Sequence, residues 1–229
     1  MKKAQVSIFI SVGLLLMVVF GLVYVMISGD LTKVAQPKLT GQTYIQQCAE
    51  QSADEIFFEL GLTAATLSRN INLTSYAYYD KKIVLLEKDK IKKIVETRID
   101  KDMKRCIMDY SGKDTISDSK REINVIFATK DVIININHPY TIKNKEQTYS
   151  PESMTIKLPI RFDLIYDNVE KILKDRMNSS RIIDSDALKQ DYFDIEVLDM
   201  GGYELWAITD HESRIYEKAY VFMFAVDKD

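Results

Sequence analysis

Residues 4–29, AQVSIFISVGLLLMVVFGLVYVMISG, decide how this chain is organised, because about seven helical turns pass without a charged side chain. Only Gln5, Ser7, Ser11 and Ser28 in that run are polar in side chain. At a rise of 1.5 Å per residue, roughly 25 residues make a helix of about 37 Å, longer than the ~30 Å hydrocarbon core of a bilayer. A removable secretory signal has a shorter apolar region of about 7 to 15 residues, followed by small residues at the cut. Residues 14–26 do not supply that pattern. The run therefore predicts a retained transmembrane helix at 5–29, with membrane lipid as its solvent. Lys2 and Lys3 lie on its short side, which puts the N-terminus in the cytoplasm and the remainder outside. The expected organisation is a basic leader at 1–4, the helix at 5–29, a linker at 30–41 holding Pro37 and Gly41, and an extracytoplasmic domain at 42–229.

Beyond the anchor there is enough chain for one ordinary domain or two small ones. The sequence holds 31 basic and 34 acidic residues, and setting aside Lys2 and Lys3 leaves a net charge of −5. A mildly acidic domain is a poor binder of nucleic acid. With 8 glycines and 4 prolines, long disordered tracts are not expected. Two cysteines, Cys48 and Cys106, are too few for a structural zinc site but enough for one bridge.

The start of the chain, Lys2-Lys3-Ala4-Gln5-Val6-Ser7-Ile8-Phe9, resembles the class III leader of archaeal type IV pilins. That resemblance implies cleavage between Ala4 and Gln5, and self-association through the N-terminal helix into a surface filament. The family often carries glutamate at the fifth mature position, where it pairs with the neighbouring subunit's terminal amine; Phe9 stands there in this chain. The whole chain also resembles membrane-anchored surface proteins of small-genome archaea. Residues 5–10, 44–48, 60–62 and 162–166 carry that likeness, which implies a surface location and no particular chemistry. The alternative reading of the leader is a plain uncleaved signal anchor on a surface adhesin or scaffold that contacts other surface proteins.

Past the linker, Ile45, Cys48, Ser52, Ile56 and Leu60 recur at helical spacing, and Gly61 follows where a helix-ending glycine belongs. A second helix is expected over 89–110, with Ile91, Val95, Ile99, Met103, Cys106 and Tyr110 on one stripe. Both cysteines thus fall on buried helix faces, and in an oxidising exterior a disulfide can join them. From Arg121 the period changes to two: Ile123, Val125 and Phe127, a turn at 129–131, then Val132, Ile134 and Ile136 read as a hairpin closed by Pro139. Further strands are expected at Ile142 and 156–160, separated by a polar loop over 143–152, with a helix at 163–177. Three more strands follow at 193–198, 203–209 and 218–226, with Gly201-Gly202 as a turn. The sum is an α+β domain with a mostly antiparallel sheet and helices packed on one face.

The sequence carries no recognisable catalytic apparatus and no cofactor-binding or metal-binding motif. His138 and His211 lack a metal-ligand pattern or a positioned partner, and there is no phosphate loop, dinucleotide fingerprint or nucleophile elbow. Asp184 and Asp186, and separately Asp210 with Glu212, read as solvated turn acids rather than calcium ligands. Asn72-Leu73-Thr74 and Asn178-Ser179-Ser180 are candidate glycosylation triplets. Tyr76, Tyr78 and Tyr79 read as an ordinary strand, with an adhesive aromatic patch as the other reading.

Overall fold

A computed structural model describes residues 41–66, 74–144, 147–178 and 193–228. The leader, its Ala4-Gln5 junction and the anchor at 5–29 lie outside the described residues, and among those described no helix is long and apolar enough to cross a membrane. Residues from Thr40 onward make one compact unit.

Helix α1 spans Gly41–Leu62 and buries Ile45, Ala49, Ala53, Ile56 and Leu60 on a single stripe. Helix α2 spans Lys88–Asp109 and buries Ile91, Val95, Ile99, Met103 and Cys106, while Lys90, Lys93, Lys101 and Lys104 are exposed. Cys48 meets Cys106 and, four residues on, Ser52 meets Asp102, so the two helices run antiparallel along a common seam. Between them lie β1 (Tyr76–Tyr79) and β2 (Lys82–Ile83).

The period-two stretch folds as expected into β4 (Glu122–Phe127) and β5 (Val132–Asn137), which are paired from Phe127 with Val132 to Glu122 with Asn137. Strand β8 (Ser153–Leu158) adds antiparallel to β5, so Val132, Ile134 and Ile136 are buried at the centre of a three-stranded sheet. A separate sheet joins β3 (Thr115–Ser117), β6 (Thr141–Lys143) and β7 (Thr148–Tyr149). The polar loop expected over 143–152 thus carries a short strand. Helix α3 (Phe162–Asn178) leads toward β9 (Phe193–Asp199), β10 (Tyr203–Ile215) and β11 (Lys218–Asp227). These three strands and the β1–β2 hairpin form a sheet ordered β2-β1-β11-β10-β9, antiparallel except where β1 lies parallel to β11.

The α+β class with mostly antiparallel pairing is therefore as expected, but the strands form three sheets where one was anticipated. His138 explains part of the division: it sits at φ 48°, a conformation that turns the chain out of β5 before Pro139 and β6 begin. The core is joined by Phe162, whose ring lies 5.6 Å from Phe57 of α1, 4.7 Å from Phe127 of β4 and 6.2 Å from Phe222 of β11. One side chain at the start of α3 thus touches a helix and two different sheets.

Gly61 does not end α1. The helix continues to Leu62, and the left-handed residues are Ala64 and Ala65, with the Ala65 amide returning to the Leu60 carbonyl at 2.9 Å. Gly61 is instead a point of close approach: a Cβ there would drive into the Val221 carbonyl oxygen of β11 and lie 3.1 Å from the Tyr220 ring. A backbone carbonyl held in a sheet cannot swing aside, so the overlap outweighs the better helix propensity of alanine. Gly61→Ala is expected to lower stability by about 2 kcal/mol, read as a lower urea midpoint at unchanged slope.

Candidate functional site

Two buried polar constellations and one aromatic cluster hold most of the chemistry that the described residues bring together. The first is the seam between α1 and α2. The disulfide joins Cys48 and Cys106 with Cα atoms 6.3 Å apart, as the helical stripes predicted. One turn along, buried Asp102 accepts the Ser52 hydroxyl at 2.8 Å, Arg98 Nε at 3.2 Å and Arg105 Nη2 at 2.5 Å. Two guanidiniums and a hydroxyl thus offset the cost of burying one carboxylate. A cleft of about 150 Å³ opens beside the bridge, walled by Tyr44, Gln51, Glu55 and Asp109.

The second constellation ties the start of α3 to β10. Register shifts between Asp210 and Arg214, and the resulting bulge leaves Asp210 (0 % exposed) and Ser213 buried. Arg161, 8 % exposed, donates from Nε to Asp210 Oδ2 at 3.0 Å, from Nη2 to Oδ1, and from Nη1 to Glu212 Oε2 at 2.5 Å. Its backbone amide reaches Ser213 Oγ at 2.8 Å, and that hydroxyl in turn donates to Asp210. The guanidinium also lies over the Phe193 ring at 5.6 Å. Burial alone would raise the Asp210 pKa, but hydrogen bonds from Arg161, Ser213 and the Glu212 amide hold it below the ordinary carboxylate value of 3.8. Asp210 is thus not the solvated turn acid expected from sequence, because its partner Arg161 lies 49 residues away and spacing could not reveal it.

The tyrosines form the strand that the alternation favoured, and they also make an aromatic cluster. Tyr78 points into the core, while the Tyr76 ring lies 5.0 Å from Tyr79 and 5.9 Å from Tyr203. Burial and the nearby Asp227 carboxylate raise the Tyr76 pKa above the ordinary phenol value.

The remaining expected residues scatter. His211 is exposed and bonds Asp194 at 2.7 Å, while His138 is exposed at the end of β5. Asn178 is the last residue of α3; Asn72, Asp184 and Asp186 lie outside the described residues. Among the described residues no three His, Cys, Asp or Glu side chains converge on a cation-sized site. The sequence places Ser52 on the apolar stripe of α1 but gives no sign of its bond to Asp102, and it does not single out Asp102, Arg161 or Ser213. A signal for Asp102 was present, since Arg98 and Arg105 at i−4 and i+3 place two cations beside an acid on the helix flank. Chemically these groups hold the fold: Ser213 is fully buried, and its hydroxyl is spent on Asp210.

Three outcomes follow for stability. Arg161→Ala leaves Asp210 buried and uncompensated and is expected to cost about 3 to 5 kcal/mol by urea unfolding. Because the folded-state pKa of Asp210 is depressed, its contribution is complete above 3.8 and lost as pH falls below it; Asp210→Asn should flatten that acid limb of the stability profile. The bridge closes a loop of 58 residues, so Cys48→Ser with Cys106→Ser should cost about 4 kcal/mol by the same measurement.

No protein-family model, curated protein or solved structure matches the chain.

Proposed function

We propose that this is a non-catalytic cell-surface protein, a pilin-like subunit held in the membrane by its N-terminal hydrophobic helix and assembling through it. The domain from Gly41 onward then stands outside the cytoplasm. The observation that carries this reading is the bridge between the only two cysteines of the chain, because such bonds persist in oxidising compartments and are rare in the reducing cytosol. The uncharged run 5–29 with Lys2 and Lys3 before it supports the same orientation. Asp210 and Ser213 support the non-catalytic reading, since both are sealed from solvent and occupied in holding Arg161.

A second reading is an uncleaved single-pass adhesin or scaffold, and the tyrosine cluster favours it. Tyr76, Tyr79 and Tyr203 offer amphipathic rings for contact at small entropic cost. Phe9 in place of the family's glutamate points the same way. Mass spectrometry of the native membrane protein without reductant separates the two readings. The pilin-like reading expects a chain beginning at Gln5 that is two hydrogens lighter than its reduced form; a chain beginning at Met1 removes it and leaves the adhesin.

A further inference from the structure

Helices α1 and α2 divide their charge. Helix α1 carries Glu50, Asp54, Glu55 and Glu59 and no lysine or arginine, and among the described residues none of the four has an ion-pair partner. Helix α2 carries eight lysines and arginines against five acids. Exposed Lys93 and Lys101 have no ion-pair partner among the described residues. Within one copy the opposite charges do not meet, because the seam is occupied by Asp102, which takes up Arg98 and Arg105.

Large apolar side chains stand among these charges. Phe58 on α1 is 45 % exposed and packs edge-on to Tyr216, itself 47 % exposed, at 5.8 Å. Tyr216 and Glu217 form the turn between β10 and β11 with φ of 49° and 62°, a left-handed pair normally made with Asn-Gly. A strained turn thus holds an aromatic ring out beside Phe58. On α2, half-buried Ile94 lies between Lys93 and Thr97 on the outer face.

The register fixes how such faces match. Cys48 lies level with Cys106 and Ser52 with Asp102, so along the seam Asp54 and Glu55 stand level with the residues around Asp100 and Ile99, and Glu59 with Val95. A two-fold axis parallel to the helices preserves height and sets α1 of one copy over α2 of the other. Glu59 then meets Lys93, Glu55 meets Arg98 and Asp54 meets Lys101, while Phe58 comes down beside Ile94 and Thr97. The spans agree: residues 50–59 cover about 14 Å and 93–101 about 12 Å. The register sets 45–62 of α1 level with 109–92 of α2, so the two helices share a face about 27 Å long and about 20 Å across, roughly 540 Å² per copy, and the pair clears the ~1,000 Å² total of a specific interface.

We propose that the paired outer faces of α1 and α2 are a self-complementary interface that binds a second copy of this chain about a two-fold axis, α1 on α2 and α2 on α1. The contact deepens the self-association proposed above and uses a surface separate from the N-terminal helix. Like-charge pairing disfavours α1 on α1 and α2 on α2, which fixes the orientation.

The test uses full-length chain in detergent micelles, with a benzoylphenylalanine photocrosslinker at position 58 and two differently tagged copies. The expected dimer product maps position 58 of one copy to the 93–101 segment of the other. Lys93→Glu with Lys101→Glu in the receiving copy lowers its yield at least about tenfold, and Asp54→Lys with Glu59→Lys in the crosslinker copy restores it. A second probe at Lys101, mapping to α1, keeps the test independent of any disturbance at position 58. Retention of the disulfide verifies the fold of each variant. Crosslinks insensitive to both reversals, or mapping elsewhere, overturn the interface. A chain found to begin at Met1 overturns the pilin-like reading but does not alter the crosslink.

Discussion

Arg161 and Phe162 are adjacent in sequence and act on opposite requirements of the fold. The guanidinium of Arg161 leaves water only because Asp210, Glu212 and the Phe193 ring surround it. Losing Asp210 would strand the guanidinium in the interior, and that cost makes the geometry stringent. Once Arg161 is fixed, the next residue has little freedom, and the Phe162 ring is delivered to the point where α1, β4 and β11 converge. The ion pair sets position and the aromatic contacts supply burial. Neither suffices alone, because apolar packing is nondirectional and a buried ion pair contributes little net stability.

The α1–α2 seam repeats this division with different chemistry. Apolar stripes bring the helices together, and the disulfide and the Ser52–Asp102 bond set which residue faces which. Asp102 is satisfied from its own helix by Arg98 and Arg105, so it can be buried without a cation from α1. The carboxylates of α1 take no part in that satisfaction; Glu50 and Glu55 accept from Gln46 and Gln51 of their own helix at 3.0 and 3.1 Å.

What could be read from the sequence follows the range of the interactions. Helices with an apolar stripe and the β4–β5 hairpin were legible because their periodicities are local, and the two cysteines were legible because both sit on such stripes. The end of α1 was misread for a physical reason: Gly61 lacks a Cβ to admit Val221, while the left-handed positions fall on alanines. The turns at Asp80-Lys81 and Tyr216-Glu217 use left-handed residues with no glycine, so composition gave no sign of them. Asp210 was misread because its environment is created by a bulge and by an arginine 49 residues earlier. The separation of the strands into three sheets depends on the same kind of long-range closure, which no window of sequence contains.

For a chain held by an N-terminal helix, the proposed interface need not be strong. Confinement to a membrane removes much of the translational and rotational freedom that free association costs, and raises the effective concentration of one domain near another. A mixed face of carboxylates, lysines and a few apolar anchors suits that situation better than a broad apolar patch, which would invite nonspecific contact in a crowded surface layer. Three charge pairs around Phe58 supply orientation rather than affinity, since exposed ion pairs contribute at most about 1 kcal/mol each. Because that contribution is screened by salt, the contact would strengthen in dilute medium and weaken in brine. Under the proposed anchoring, such a face is suited to neighbours that their N-terminal helices have already brought together.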